Sequence, residues 1–158
     1  MAEAREQIYA VLVALEGDTL LMPNAAVAEV VSADGLQPAI GGAEWLVGSY
    51  LWNGRRVSIV SFEALNGGER PQPTRRSRLV ILNPFDAQAG AGQLGFLAQG
   101  YPHLITLNRA ALVPAPMNPN DRERAVVMRV RIANTSVAIP DLESLEQELG
   151  AAQAAAAA

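Results

Sequence analysis

Apolar residues in this chain fall in short runs bounded by Gly, Pro, Asn or Asp, a pattern of strands rather than helices. Ile8–Leu15, IYAVLVAL, is a continuous apolar run. Its length and its β-branched and aromatic content predict a buried strand. Glu16-Gly17-Asp18 reads as a turn and Thr19–Met22 as the returning strand, ended by Pro23. Asn24 reads as the N-cap of a short helix through Ala25–Val31, because Ala25, Ala26 and Ala28 are good helix formers. Asp34-Gly35 and Pro38 then mark a loop leading to Trp45.

The strongest local signal is Leu46–Gly67, LVGSYLWNGRRVSIVSFEALNG. Two apolar runs, Leu46–Trp52 and Val57–Phe62, flank Asn53-Gly54, Arg55 and Arg56. Asn-Gly favours a type I′ hairpin turn, which needs positive φ at both central residues. Counting outward pairs Trp52 with Arg55, Leu51 with Arg56, Tyr50 with Val57, Ser49 with Ser58 and Gly48 with Ile59. One face then carries Trp52, Tyr50, Val57 and Ile59 toward a core. The other carries Leu51, Arg56, Ser49 and Ser58 and is part-exposed. Phe62–Leu65 makes a short helical turn stopped at Asn66-Gly67-Gly68.

Residues 67–78, GGERPQPTRRSR, read as a mobile surface connection and a boundary between lobes. Leu79–Leu82 is a buried strand, Asn83–Gln93 a Gly/Ala loop and Leu94–Ala98 another strand. Gly100-Tyr101-Pro102 interrupts it, and His103–Leu107 resumes an extended pattern. Val113–Arg124 is a second irregular loop. In Val126–Ile132, Met128, Val130 and Ile132 point one way and Arg129 and Arg131 the other. Ala133-Asn134-Thr135 turns the chain into the strand Ser136–Ile139. Pro140 and Asp141 open a helix with Leu142, Leu145 and Leu149 on one stripe and Glu143, Glu146 and Glu148 near the start. Gly150 reads as its stop, with Ala151–Ala158 a low-complexity tail, frayed or disordered. The sum is a mainly β chain of roughly eight to ten short strands, small barrels or a sandwich rather than βαβ units. Each half holds paired apolar strands followed by a short helix, so two similar lobes are permitted.

Composition narrows the chemistry. The 158 residues, half of them apolar, suffice for one domain or two small lobes, with a core of Val, Leu, Ile and Ala. A net charge of −4 argues against non-specific nucleic-acid binding. All 12 basic residues are Arg, which fits codon bias and removes Lys as a Schiff-base or general-base candidate. There is no Cys, hence no disulfide, thiolate nucleophile or zinc-finger pattern. The start, MAEAREQ, is unlike a signal peptide, and no apolar run approaches the roughly 18 residues of a membrane span. The expectation is a soluble, cytoplasmic protein without direct membrane contact.

Gly90-Ala91-Gly92-Gln93-Leu94-Gly95 has the G-x-G-x-x-G form, but Phe96–Pro102 is too short and broken for the required helix. No acid occurs between Asp86 and Asp121 to hold a ribose, so the segment reads as a loop and no cofactor is expected. Asn134-Thr135-Ser136 reads as a hairpin turn rather than a glycosylation site. His103 is the only His, and Ser49, Ser58 and Ser61 lack a nucleophile-elbow context, so His103 reads as structural or surface. The acids do not cluster as a cation loop requires, and no metal is expected. Arg75-Arg76-Ser77-Arg78 and Arg122-Glu123-Arg124 are the densest charge groups. The second reads as a solvated loop, offset by Asp121 and Glu123. Trp52 and Arg55 form a cation–π pair, an exposed anchor for another protein, or simple local packing.

The residues from Gly48 to Gly67 carry a resemblance. Gly48, Gly54, Val57, Ile59, Val60, Phe62, Leu65 and Gly67 fit the pattern of the CheW-like adaptor domain of bacterial chemosensory systems. Ile8–Leu15 and Thr19–Met22 resemble its first two strands and Val27–Val31 its glutamate-valine segment. Gly95-Phe96-Leu97 resembles its second-lobe Gly-apolar strand and Val137–Leu145 its closing strand and helix start. The resemblance covers residues 7–149 as one domain of two lobes, with connections near 67–78 and 113–124 and a tail over 150–158. The chain departs from the family pattern at Asn53, where Arg is usual, at Ser58 for Pro, at Ser61 for Asp and at Gln99 for Asp. These departures resemble a divergent adaptor of a type IV pilus or other alternative chemosensory pathway. The resemblance implies two small SH3-like five-stranded β-barrel lobes packed side by side, with short helices and a C-terminal helix. It implies a non-catalytic scaffold, without cofactor, coupling a methyl-accepting chemoreceptor to a histidine kinase regulatory domain. The expected docking residues are Trp52, Asn53, Gly54, Arg55 and Arg56, supported from inside by Val57 and Ile59. Two rival readings remain open: a small serine hydrolase using Ser and His103, and a nucleic-acid-binding β-barrel using Arg75–Arg78.

Overall fold

The computed structural model describes residues 7–84 and 93–157, with side chains described up to residue 152. In chain order the strands are β1 (Gln7–Ala14), β2 (Thr19–Pro23), β3 (Val27–Ser32), β4 (Gln37–Pro38), β5 (Leu46–Trp52), β6 (Arg55–Val60), β7 (Arg78–Leu82), β8 (Leu94–Ala98), β9 (His103–Asn108), β10 (Val113–Ala115), β11 (Val126–Ile132) and β12 (Thr135–Pro140). Among the described residues two helices, α1 (Phe62–Leu65) and α2 (Leu142–Ala157), and three short 3₁₀ turns complete the set.

The strands form two six-stranded sheets, ordered β10-β11-β12-β2-β1-β9 and β3-β7-β8-β6-β5-β4. Both follow one plan. An antiparallel pair (β11 with β12, or β7 with β8) joins a hairpin (β1 with β2, or β5 with β6) through one parallel junction. That shared plan makes the two lobes alike although no sequence repeat marks them. Each sheet has one strand more than the expected five. Two-residue β4 and three-residue β10 are edge strands too short to leave an alternating pattern in sequence.

Three apolar cores explain the architecture. Ala10, Leu21, Leu107, Val130 and Val137 fill the first lobe. Val47, Val57, Ile59, Leu79, Ile81 and Leu97 fill the second. The alternate residues of the same strands, among them Val11, Val13, Leu20, Met22, Val60, Val80, Phe96 and Ala138, fill a third core. Phe62 of α1 and Leu145 and Leu149 of α2 join it. Strands buried on both faces read as continuous apolar runs, as Ile8–Leu15 and Leu79–Leu82 do. Phe62 and Phe96 meet edge-to-face in this third core, with centroids 6.1 Å apart at 82°.

Four expectations are corrected. Asn24–Val31 is not a helix: only Asn24–Ala26 makes a 3₁₀ turn, without a side-chain cap, and Val27–Ser32 is β3. Pairing with β7 outweighs alanine's weak helix preference. Asn83 secures this turn by donating from Nδ2 to the Ala25 carbonyl and from its backbone N–H to Ala26. Gly150 does not end the last helix, which runs on to Ala157. One glycine costs about 1 kcal/mol, and the alanines beyond it are the best helix formers. Residues 67–78 link α1 to β7 within one sheet; the chain passes between sheets after β2 and after β8. Finally, in β11 a register shift between Val126 and Met128 turns Met128 outward, while Arg129 is buried.

Candidate functional site

The β5–β6 hairpin forms with the pairing counted from sequence, Trp52 with Arg55 through Gly48 with Ile59. Asn53 has φ 48° and Gly54 φ 77°, the left-handed values that a type I′ turn demands. Val57 and Ile59 are fully buried beneath it. Asn53, Gly54, Arg55 and Arg56 are exposed and Trp52 is half-buried. The Trp52 ring packs on the second lobe's core, and its Nε1–H donates to Glu29 Oε2 on β3. Glu29, not Arg55, is therefore the indole's partner; a cation–π contact is found elsewhere among the described residues, with Arg78 6.0 Å from the Tyr101 ring centroid. Arg56 lies back along β5, its Nη1 donating to Ser49 Oγ at 3.2 Å. Among the described residues Arg55 has no side-chain partner. The five residues thus present two guanidinium groups on a tip tied to β3.

Beside the hairpin is an open groove of about 430 Å³ floored by Gly48, Ser49 and Ser58 and walled by Pro38, Ile40 and Arg56. Ile40 and Leu51 are exposed large apolar side chains of this region. Gly48 is required: a Cβ there would stand 2.1 Å from the Gln37 carbonyl oxygen.

The other candidate residues are dispersed. His103 is exposed on β9, an edge strand of the first sheet, paired with Leu12. Ser49 and Ser58 belong to the second sheet, and buried Ser61 spends its hydroxyl capping α1, accepting from Ala64 N–H at 3.2 Å. Arg78 folds onto the Arg75 and Ser77 carbonyls as well as Tyr101, while Arg75 and Arg76 stay exposed. Gly90–Gly92 lie outside the described residues. Buried Gln93 donates to the Leu82 carbonyl and leads directly into strand β8, not into a helix. Ala133, at φ 51°, turns β11 into β12 as expected of Ala133-Asn134-Thr135. Among the described residues no three His, Asp or Glu are grouped to hold a metal ion.

One polar constellation joins residues far apart in the chain and has no local motif. Arg129, with its side chain 2% exposed, donates twice to Asp18 (3.0 and 2.7 Å) and twice to Asp121 (2.6 and 2.9 Å). Asn66, the C-cap of α1, donates to Asp121 Oδ1 at 2.9 Å and accepts from Arg122 N–H at 2.7 Å. The Arg129 guanidinium holds the Asp121 carboxyl down at about 2, against the opposing effect of burial. The hydrogen bonds to Asp121 and then Asp18 raise Arg129 above its ordinary value. The available signal was an Arg among the apolar residues of a strand both of whose faces are needed for cores. Alternation alone assigned it to solvent.

The architecture defines a class first: a two-lobed β protein with an exposed, anchored hairpin. The CheW-like domain model matches residues 10–149, and the chain belongs to that family. Among solved structures it is similar to the scaffolding protein TtCheW from Thermoanaerobacter tengcongensis, at 14% identity and a TM-score of 0.71, over 87% of this chain and 86% of that one. No curated protein matches the sequence. Family membership supports a scaffolding role in chemotaxis-type signalling. Among the described residues no helix is long and apolar enough to cross a membrane.

Proposed function

We propose that this protein is a cytoplasmic, non-catalytic adaptor coupling methyl-accepting chemoreceptors to the regulatory domain of a chemotaxis-type histidine kinase. The observation that carries the reading is the CheW-like match over residues 10–149. The hairpin tip, Trp52 to Arg56, is the docking surface. Two exposed guanidinium groups beside an apolar groove suit a partner that offers carboxylates and an apolar stripe. The mechanism is positional: receptor state alters the geometry of the adaptor–kinase contact. The departures at Asn53, Ser58, Ser61 and Gln99 support an alternative pathway with pilus-based motility as its output. Of these, Ser61 keeps the structural task of a cap, since Ser and Asp both serve at that position.

The test is a calorimetric titration with the regulatory domain of a chemotaxis-type kinase from the same organism. Saturable 1:1 binding is expected. Arg56→Glu should weaken it tenfold or more, about 1.4 kcal/mol, without changing the thermal midpoint. No binding to any such kinase domain overturns the coupling role.

A further inference from the structure

The seam between the lobes is mostly apolar, and apolar burial is non-directional: it holds two bodies together without setting one angle between them. Among the described residues few directional bonds cross the seam: one joins Gln99 N–H to the Ala14 carbonyl at 2.9 Å, where β8 leads into β9, and the others converge on α1. Asn66 uses both ends of its amide, donating to Asp121 Oδ1 (2.9 Å) and accepting from Arg122 N–H (2.7 Å). Glu63 Oε2 accepts from Glu16 N–H at 3.0 Å. Asn66 and Glu63 extend from the second sheet's β6, whereas Asp121, Arg122 and Glu16 adjoin strands of the first.

The receiving side is rigid. Both Asp121 oxygens accept from Arg129, Oδ2 also accepts from Asn118 N–H at 2.8 Å, and Arg129 is gripped from its other edge by Asp18. The carboxylate that Asn66 meets is therefore already oriented by first-lobe groups alone. Beside these bonds the seam is unfilled. A cleft of about 520 Å³ opens between the Glu16–Asp18 turn, α1 and Arg122, leaving room for the lobes to swing.

From this we infer that Asn66 is the pin of a polar clamp that sets the angle between the two lobes, with Arg129 and Asp121 as its fixed seat. The apolar core binds the lobes; the clamp selects one orientation of them. Substituting Asn66 leaves the Asp18–Arg129–Asp121 grouping intact, so no buried charge loses a carboxylate or guanidinium partner.

The chain lacks cysteine, so introduced thiols label cleanly. Spin labels at Arg55→Cys on the second lobe and Arg131→Cys on the first, both exposed, report the angle as a distance distribution by double electron–electron resonance. With Asn66 present a single narrow distribution is expected. Asn66→Ala should at least double its width, with far-UV circular dichroism unchanged. Asn66→Asp, alike in shape but unable to donate to Asp121, should do the same and serves if the alanine variant does not fold. A parent distribution that is already broad or bimodal overturns the clamp. So does an unchanged width in either folded variant. The readout needs no binding partner, so it stands or falls separately from the adaptor role.

Discussion

At the residue scale the most consequential side chain is Arg129. A lone Arg at a core-facing strand position would be prohibitive; two carboxylates make it tolerable. Asp121 has a pKa of about 2 in the folded protein, below its ordinary 3.8. A carboxyl lowered by folding contributes stability above its ordinary pKa and loses it as pH falls through the folded value. Urea midpoints should therefore hold from pH 7 to about 5 and fall between about 4 and 2. Asp121→Asn should cost about 3 kcal/mol at pH 7, because Arg129 keeps one carboxylate instead of two. That difference from the parent should shrink in acid. Gln99 is a contrasting case. Among the described residues its Nε2 is buried without a hydrogen-bond partner, while its backbone N–H reaches the Ala14 carbonyl at 2.9 Å. Gln99→Met removes an unpaired amide at similar volume. It should leave stability unchanged or raise it by up to about 1 kcal/mol in the same denaturation assay.

At the element scale the β5–β6 hairpin depends on two glycines for different reasons. Gly54 needs a positive φ but has open space around it. Gly54→Ala should cost roughly 1 kcal/mol of strain and little else. Gly48 has no room: its Cβ would strike the Gln37 carbonyl and push β4 from β5. Gly48→Ala should cost about 1–3 kcal/mol and specifically expose the Ala39 amide, which donates to Val47, to hydrogen exchange. Equal exchange at Ala39 in both variants would contradict the distinction. The last helix shows the same local logic. Asp141 caps it by accepting from Ser144 N–H and Oγ–H, and Leu145 and Leu149 bury its apolar stripe.

At the scale of the whole molecule, the two lobes share one core in addition to their own. Phe96 is fully buried there against Phe62. Phe96→Ala should cost about 3–5 kcal/mol and lower the melting of both lobes together in one transition. Two separate transitions would mean that the third core does not couple them. The docking reading belongs to this scale too. Trp52 packs on the second lobe's core and bonds Glu29, so Trp52→Ala mixes lost packing with lost contact. Arg56→Glu, on an exposed residue, is the cleaner test of the surface.

Local patterns were enough wherever a side chain's neighbours lie close along the chain. The Asn53-Gly54 turn, its register, the Phe62–Leu65 helix with its Asn66-Gly67 stop and the strands of two-sided burial were all legible. Their physics is backbone sterics and the alternation of strand faces. The collinear pattern from Gly48 to Gly67 was likewise enough to point to the family. Other features depended on partners distant in sequence. Whether Val27–Val31 became helix or strand was decided by β7, and whether Arg129 faced water was decided by Asp18 and Asp121. The short strands β4 and β10 exist only because β5 and β11 offer them an edge. Asn66 became a bridge between lobes because folding set Asp121 and Arg122 beside it. Periodicity tells which face of a strand a residue is on. Only the packed chain tells what meets that face.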